Sequence, residues 1–175
     1  MSCPPRPATL PPPEGRAVLS PAGRCRKTNA ERPNGPGVEV RYAVLPAVAR
    51  RPKADPVVFL AGGPGQSAIE LLPLLSSRMD RLNQRRDLVF VDQRGTGKSA
   101  SLACREERYL PLSQQLDREA MLRELQQCRE TLQQRPHGDL RFYSTWIASQ
   151  DLDAVRQALG VAQWNVIGGS YGTRA

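Results

Sequence analysis

An α/β fold, a mostly parallel sheet with helices on both faces, is the class this 175-residue sequence predicts, and three observations predict it. Apolar runs of strand length alternate with stretches that carry a helical apolar stripe, the order of a sheet with helical crossovers. Two of those runs, 56–61 and 88–91, are apolar nearly throughout, as strands buried on both faces are. Three apolar runs lead straight into glycine-rich motifs, at 62–67, 92–99 and 168–172. Ligands of such sheets bind beyond the carboxyl ends of the strands, so the three motifs are expected to converge on one site.

Taken in order, residues 1–37 hold nine of the sixteen prolines, with Gly15, Gly23, Gly35 and Gly37 among them. No helical or strand period survives that density, and a disordered or extended lead-in is expected, with the folded domain at 38–175. Val38 to Leu45 alternates apolar and polar residues and then turns apolar before Pro46, which reads as a half-buried strand. After a polar turn region, Pro56 to Ala61 is a buried strand that ends in the loop Gly62 to Ser67. A helix through Ile69 to Met79 is expected despite Pro73, followed by a polar connector at 81–87 and the buried strand Leu88 to Val91. Beyond Leu112, residues Met121, Leu125, Cys128 and Leu132 mark one face of a helix, which Pro136-His137-Gly138 stops. A second helix from Ser144 or Thr145 carries Ala148, Leu152, Val155 and Leu159 on one stripe, and Gly160 is its left-handed C-cap. Trp164 to Ile167 is the last buried strand.

Composition excludes several classes. The net charge of +8 is uneven: residues 1–53 carry ten Lys or Arg against three acids, and 54–175 carry fifteen against fourteen. No aromatic residues are interleaved with the basic ones as a stacking platform requires, so nucleic acid is not an expected partner. No apolar run approaches the ~20 residues of a membrane span. Met1 to Arg26 lacks the apolar segment of a secretory signal, which implies a cytoplasmic chain; a mis-assigned N-terminus would allow a periplasmic or secreted one. The four cysteines form no C-x-x-C pair and a single histidine accompanies them, so no metal or other cofactor is expected. Cys104 and Cys128 are either two ordinary buried thiols, the reading the missing signal favours, or a disulfide across a loop and a helix.

The chemistry lies in the motifs. Gly168, Ser170 and Gly172 stand in Gly-x-Ser-x-Gly directly after a strand. A serine on a sharp strand-to-helix turn takes up a strained backbone that projects its Oγ above the sheet, and the glycines leave room for that turn. The N–H of Tyr171, one residue on, would face a developing oxyanion. The rival reading is a phosphate-binding loop at Gly97-Lys98-Ser99. That motif needs glycine at position 92, where Asp92 would repel phosphate. His137 precedes Ser170 in a Pro-His-Gly turn and reads as a solvated turn residue, because triad partners on this type of turn follow the serine.

Three motifs in this order, Ala-Gly-Gly-Pro-Gly-Gln-Ser at 61–67, Val-Asp-Gln-Arg-Gly-Thr-Gly-Lys-Ser at 91–99 and Gly-Gly-Ser-Tyr-Gly at 168–172, resemble the α/β-hydrolase peptidases of the prolyl aminopeptidase and tripeptidyl aminopeptidase group. The resemblance runs from about Val38 to Ala175. It implies an α/β-hydrolase fold with Ser170 as nucleophile and an oxyanion hole from Gly62 or Gly63 together with Tyr171. It further implies a site floor shaped by Asp92, Arg94, Gly95, Gly97 and Ser99. Ala61 stands where many members have histidine, which leans toward the tripeptidyl-releasing branch.

The resemblance therefore implies a serine hydrolase that releases N-terminal residues or short peptides, with a peptide or peptide-like substrate as its partner. No acid or histidine stands among the five residues after Ser170. The chain is expected to be the N-terminal part of such an enzyme and inactive alone. The alternatives are an esterase or other small-molecule hydrolase on the same scaffold, or a non-catalytic truncated product.

Overall fold

A computed structural model describes residues 20–27, 37–104 and 117–175, and of 20–27 the backbone only. Five strands form one sheet: β1 (Ser20–Lys27), β2 (Val38–Leu45), β3 (Val57–Leu60), β4 (Leu88–Val91) and β5 (Asn165–Gly168). Their spatial order is β1-β2-β4-β3-β5. The helices are α1 (Ala68–Arg78), the short α2 (Asp80–Asn83), α3 (Arg118–Gln133) and α4 (Thr145–Ala158).

The α/β layering is as expected, but the sheet is mixed. β3 runs parallel to both β4 and β5, whereas β2 is antiparallel to β4 and to β1. A parallel pair needs a crossover that returns the chain to the same end of the sheet. Residues 61–87 and 92–164 contain helices that make such crossovers; the helix-free link 46–56 does not.

The lead-in also departs from expectation. Ser20–Lys27, inside the stretch expected to lack regular structure, pairs with β2 with a register irregularity between Ser20 and Gly23. The ladder is made by backbone groups, so a strand with no apolar alternation can still join it. The rest of 1–36 lies outside the described residues.

Alternation along the strands divides the core in two. Val58, Leu60, Val89, Val91, Val40, Tyr42 and Val44 pack on one face with Val155 and Leu159 of α4. Val57, Phe59, Leu88, Phe90, Ala43 and Leu45 pack on the other with Ala68 and Leu72 of α1. Of the expected stripe, Ala148 and Val155 in α4 and Leu159 just after it are buried, while Leu152 is partly buried. Gly160 closes that helix at φ 68°, with the Gly160 N–H donating to Gln157 O and Val161 N–H to Arg156 O, a Schellman arrangement.

Two expected burials fail. Met121 and Leu125 of α3 are half exposed, and only Leu132 of that stripe is buried; Cys128 is bound to Cys104 in a disulfide, Cα–Cα 5.5 Å. The reading of two ordinary thiols is thereby corrected. β5, expected to be buried, lies at the edge with β3 as its one described neighbour, and Val166 is 58% exposed.

β5 is clamped at its start. Asp55 accepts a two-pronged bond from Arg86, at 3.1 and 3.0 Å, and another at 3.1 Å from Asn165 Nδ2. The Arg86 bonds first, and Asn165 second, lower the Asp55 pKa from 3.8 to about 2. A carboxylate that holds its proton less tightly when folded stabilises fully above the unfolded value, and the benefit fades as pH falls through the folded one. Asp55→Asn is therefore expected to destabilise at pH 6, and its melting-temperature gap from the parent should narrow between pH 4 and pH 2. A gap independent of pH would contradict the clamp. Deleting residues 1–36 strips β1 from β2 and should lower the melting temperature by about 4–8 °C, roughly 2 kcal/mol at this chain length. An unchanged melting temperature would show that β1 adds nothing.

Candidate active site

The Gly-x-Ser-x-Gly turn begins where β5 ends. The Gly169 N–H donates to Leu60 O at 3.1 Å, and the chain then enters a single 3-10 turn, Ser170–Thr173. Ser170 sits at φ 52°, in the left-handed region that costs a non-glycine residue about 1–3 kcal/mol. The turn can be this sharp because of its glycines. A Cβ on Gly168 would overlap the Gly172 carbonyl, and a Cβ on Gly172 would overlap Leu60 O. Ser170 is exposed, and among the described residues nothing is hydrogen bonded to its Oγ.

The loop after β3 meets this turn. A Cβ on Gly62 would lie 2.9 Å from Ser170 Cβ and 3.4 Å from its Oγ, so only a bare backbone fits there. Gly63 follows at φ 103°. Among the described residues neither the Gly62 nor the Gly63 N–H donates a hydrogen bond, while Gly62 O accepts from Gln66 N–H. Tyr171 reaches the start of α4, its hydroxyl 3.2 Å from Thr145 Oγ1. Gly62, Ser170 and Tyr171 are thus brought together.

The 92–99 stretch lies beside this pair as a support. Asp92, 2% exposed, accepts from Ser67 Oγ at 2.7 Å, Ile69 N–H at 3.1 Å and Lys98 N–H at 3.4 Å. Ser67 Oγ in turn accepts from Glu70 N–H and caps α1. Gly97 stands at φ 49°, where any Cβ would overlap the Asp92 carboxylate. Gly95, at φ 86°, leaves 3.0 Å between a would-be Cβ and the Tyr143 ring. The Ser99 hydroxyl accepts from Arg41 N–H at 2.8 Å. Far from cradling an anion, this loop closes around its own carboxylate.

Arg94 reveals a residue that sequence reasoning missed. Its Nε and Nη2 donate to the two Asp151 carboxylate oxygens at 2.6 and 2.7 Å, and its Nη1 to Phe142 O at 2.8 Å. Both side chains are buried, 4% and 2% exposed. The signal was present: Asp151 falls between Ala148 and Leu152 on the apolar stripe of α4, where an acid must have a buried partner. His137, in contrast, lies with Lys98 and Arg135 and touches none of the Ser170 group. Burial, and then the neighbouring Arg135 charge, lower its pKa.

Removing one partner of a buried ion pair strands the other. Asp151→Ala should cost about 3–5 kcal/mol in urea unfolding, and Arg94→Met with Asp151→Leu should recover most of it. A loss below about 1 kcal/mol, the range of exposed pairs, would refute the burial argument.

Residues 55–174 match the family model described as alpha/beta hydrolase fold. A probable proline iminopeptidase of Leptolyngbya boryana is 30% identical over 122 residues, which are 70% of this chain and 26% of that protein. A putative hydrolase, YuaR, of Escherichia coli is 26% identical over 142 residues, 81% of this chain and 28% of that one. The crystal structure of a proline iminopeptidase from Mycobacterium smegmatis superposes with a TM-score of 0.51 at 19% identity, covering 86% of this chain and 36% of the other. The chain thus spans about a quarter of the length of the curated relatives it matches.

Proposed function

The chain belongs to the α/β hydrolase fold family, and we propose that within it Ser170 is the nucleophile of a serine hydrolase releasing N-terminal residues or short peptides. The observation that carries this reading is the elbow: an exposed serine, at φ 52° on a strand-end turn, facing the bare backbone of Gly62. The proline iminopeptidase relatives support the peptide substrate.

In this reading the Ser170 oxygen attacks the scissile carbonyl, and N–H groups of Tyr171 and of Gly62 or Gly63 hold the developing oxyanion. The serine proton needs a base, because a serine hydroxyl is a weak nucleophile at neutral pH. His137 is turned to another cavity, so the histidine and its orienting carboxylate are assigned to sequence beyond Ala175. Water then releases the acyl group. Asp92, Gly95 and Gly97 hold the loops in place, and Arg94 joins them to α4. Among the described residues no helix is long and apolar enough to cross a membrane. The Cys104–Cys128 disulfide favours an oxidising compartment.

The test compares an N-terminally free peptide amide with its ester, on the 175-residue chain and on a form extended past Ala175. Turnover is expected only in the extended form. Ser170→Ala should remove it by on the order of 10⁶-fold. Gly62→Ala should lower it about 10²-fold by displacing the reacting atoms. Ester turnover without amide turnover would replace the peptidase by an esterase. Turnover that survives Ser170→Ala would end the proposal.

A further inference from the structure

At the end of the sheet opposite Ser170, two segments lie side by side: 46–56, which leads into β3, and 78–87, which leads into β4. Their backbones fasten them together. The N–H groups of Val48, Ala49 and Lys53 donate to the carbonyls of Asn83, Gln84 and Arg85 at 3.0, 3.1 and 2.8 Å. The buried Asn83 Nδ2 donates to Leu45 O and Pro46 O at 3.3 and 3.1 Å. The charge on this surface is one-sided. The two segments carry seven Lys or Arg against three Asp, while the rest of 57–175 holds eleven against eleven. Two of the three acids are already engaged: Asp55 by Arg86 and Asn165, and Asp87 by Ala47 N–H at 2.8 Å. Arg50, Arg51, Lys53, Arg81 and Arg85 are exposed, and among the described residues none of them forms an ion pair. Two apolar side chains stand open among these cations, Val48 at 64% exposed and Leu82 at 37%. Neither segment contains an aromatic residue.

We propose that this end of the domain docks on the surface of an anionic lipid bilayer. Arginine and lysine held near such a surface are drawn to its negative potential, and apolar side chains between them enter the headgroup layer. Charge alone would suit any polyanion; the open Val48 and Leu82 are what single out lipid. A single-stranded nucleic acid would need aromatic rings to stack on, and these segments have none. The backbone bonds between the two segments hold the cations in one surface before docking, so little ordering is left to be done on binding. The placement also sets an orientation. β3 and β4 are each four residues long, so the turn at Ser170 lies ~13 Å or more from the docked end. It faces the aqueous phase. With Ser170 as the nucleophile, the substrates are therefore water-borne rather than drawn from the bilayer. That last step rests on the hydrolase reading; the docking does not.

The test sediments the 175-residue chain with vesicles of phosphatidylcholine, alone or with about one third phosphatidylglycerol. Binding is expected only to the anionic vesicles, and it should weaken as added salt screens the attraction. Arg50→Gln, Arg51→Gln and Lys53→Gln together should weaken it about fivefold per charge, on the order of 10²-fold in all. The charge-preserving pair Arg50→Lys and Arg51→Lys should bind as the parent does. Val48→Ser should weaken binding about fivefold by removing apolar contact, a loss that a purely electrostatic partner would not register. Arg6→Gln, Arg16→Gln and Arg32→Gln remove the same charge from the lead-in and should weaken binding less than the Arg50, Arg51 and Lys53 variant does. Ser170→Ala should leave vesicle binding untouched, which separates failure here from failure of the hydrolase reading. No binding to the anionic vesicles, equal binding to neutral ones, a larger loss from the lead-in variant, unchanged affinity in Val48→Ser, or tighter binding of a single-stranded RNA overturns the proposal.

Discussion

The carboxylate of Asp92 is the contact on which the geometry around Ser170 depends. It is buried, and a buried charge is tolerated only when donors surround it. Here the donors are the Ser67 hydroxyl and the backbone N–H groups of Ile69 and Lys98. They belong to three different segments: the end of the Gly62–Ser67 loop, the first turn of α1 and the turn after β4. One side chain thus ties all three to the carboxyl end of the sheet. The first turn of α1 adds its partial positive charge to the same oxygen. Because Ser67 both caps α1 and bonds Asp92, the loop before it is anchored at its far end. Its near end is anchored by β3.

Once that loop is placed, parallel pairing does the rest. β3 and β5 run side by side with Leu60 opposite Gly168. Their following residues, Gly62 and Ser170, consequently emerge at the same level. The approach is so close that neither Gly62 nor Gly172 has space for a methyl group. From the other side, the turn that Asp92 closes is joined to α4 by Arg94 and Asp151, and the start of α4 reaches Tyr171 through Thr145. A buried ion pair adds little net stability compared with an apolar pair of the same shape. Its effect here is positional, fixing which turn of α4 faces the loop.

The periphery is governed by different forces. β1 joins the sheet through its backbone, although its sequence, Ser-Pro-Ala-Gly-Arg-Cys-Arg-Lys, offers no apolar face. The apolar side chains of β5 and the first half of α3 remain open to solvent. α3 is held at its later half by Leu132 and by the bond from Cys128 to Cys104. Burial orders the centre of this domain, while pairing and a covalent link order its margins.

What the sequence by itself determined is therefore the centre. The runs at 57–60 and 88–91, the α4 stripe with its Gly160 cap, and the three motifs at strand ends were all legible, because apolar periodicity and glycine placement are local properties. The elbow at Ser170 was legible for the same reason. Asp151 was only half legible: an acid on an apolar stripe announces a buried partner without saying which. The direction of β2, the pairing of β1, the exposure of Val166 and the Cys104–Cys128 bond were decided by tertiary structure. Each depends on which segments become neighbours, and a ladder of backbone groups, an edge position or a pair of thiols carries no trace of its neighbour in its own sequence. His137 is the sharpest case. Its turn was readable from Pro136 and Gly138, but only folding, by burying Nε2 beside Arg135, left that nitrogen without a hydrogen-bond partner among the described residues.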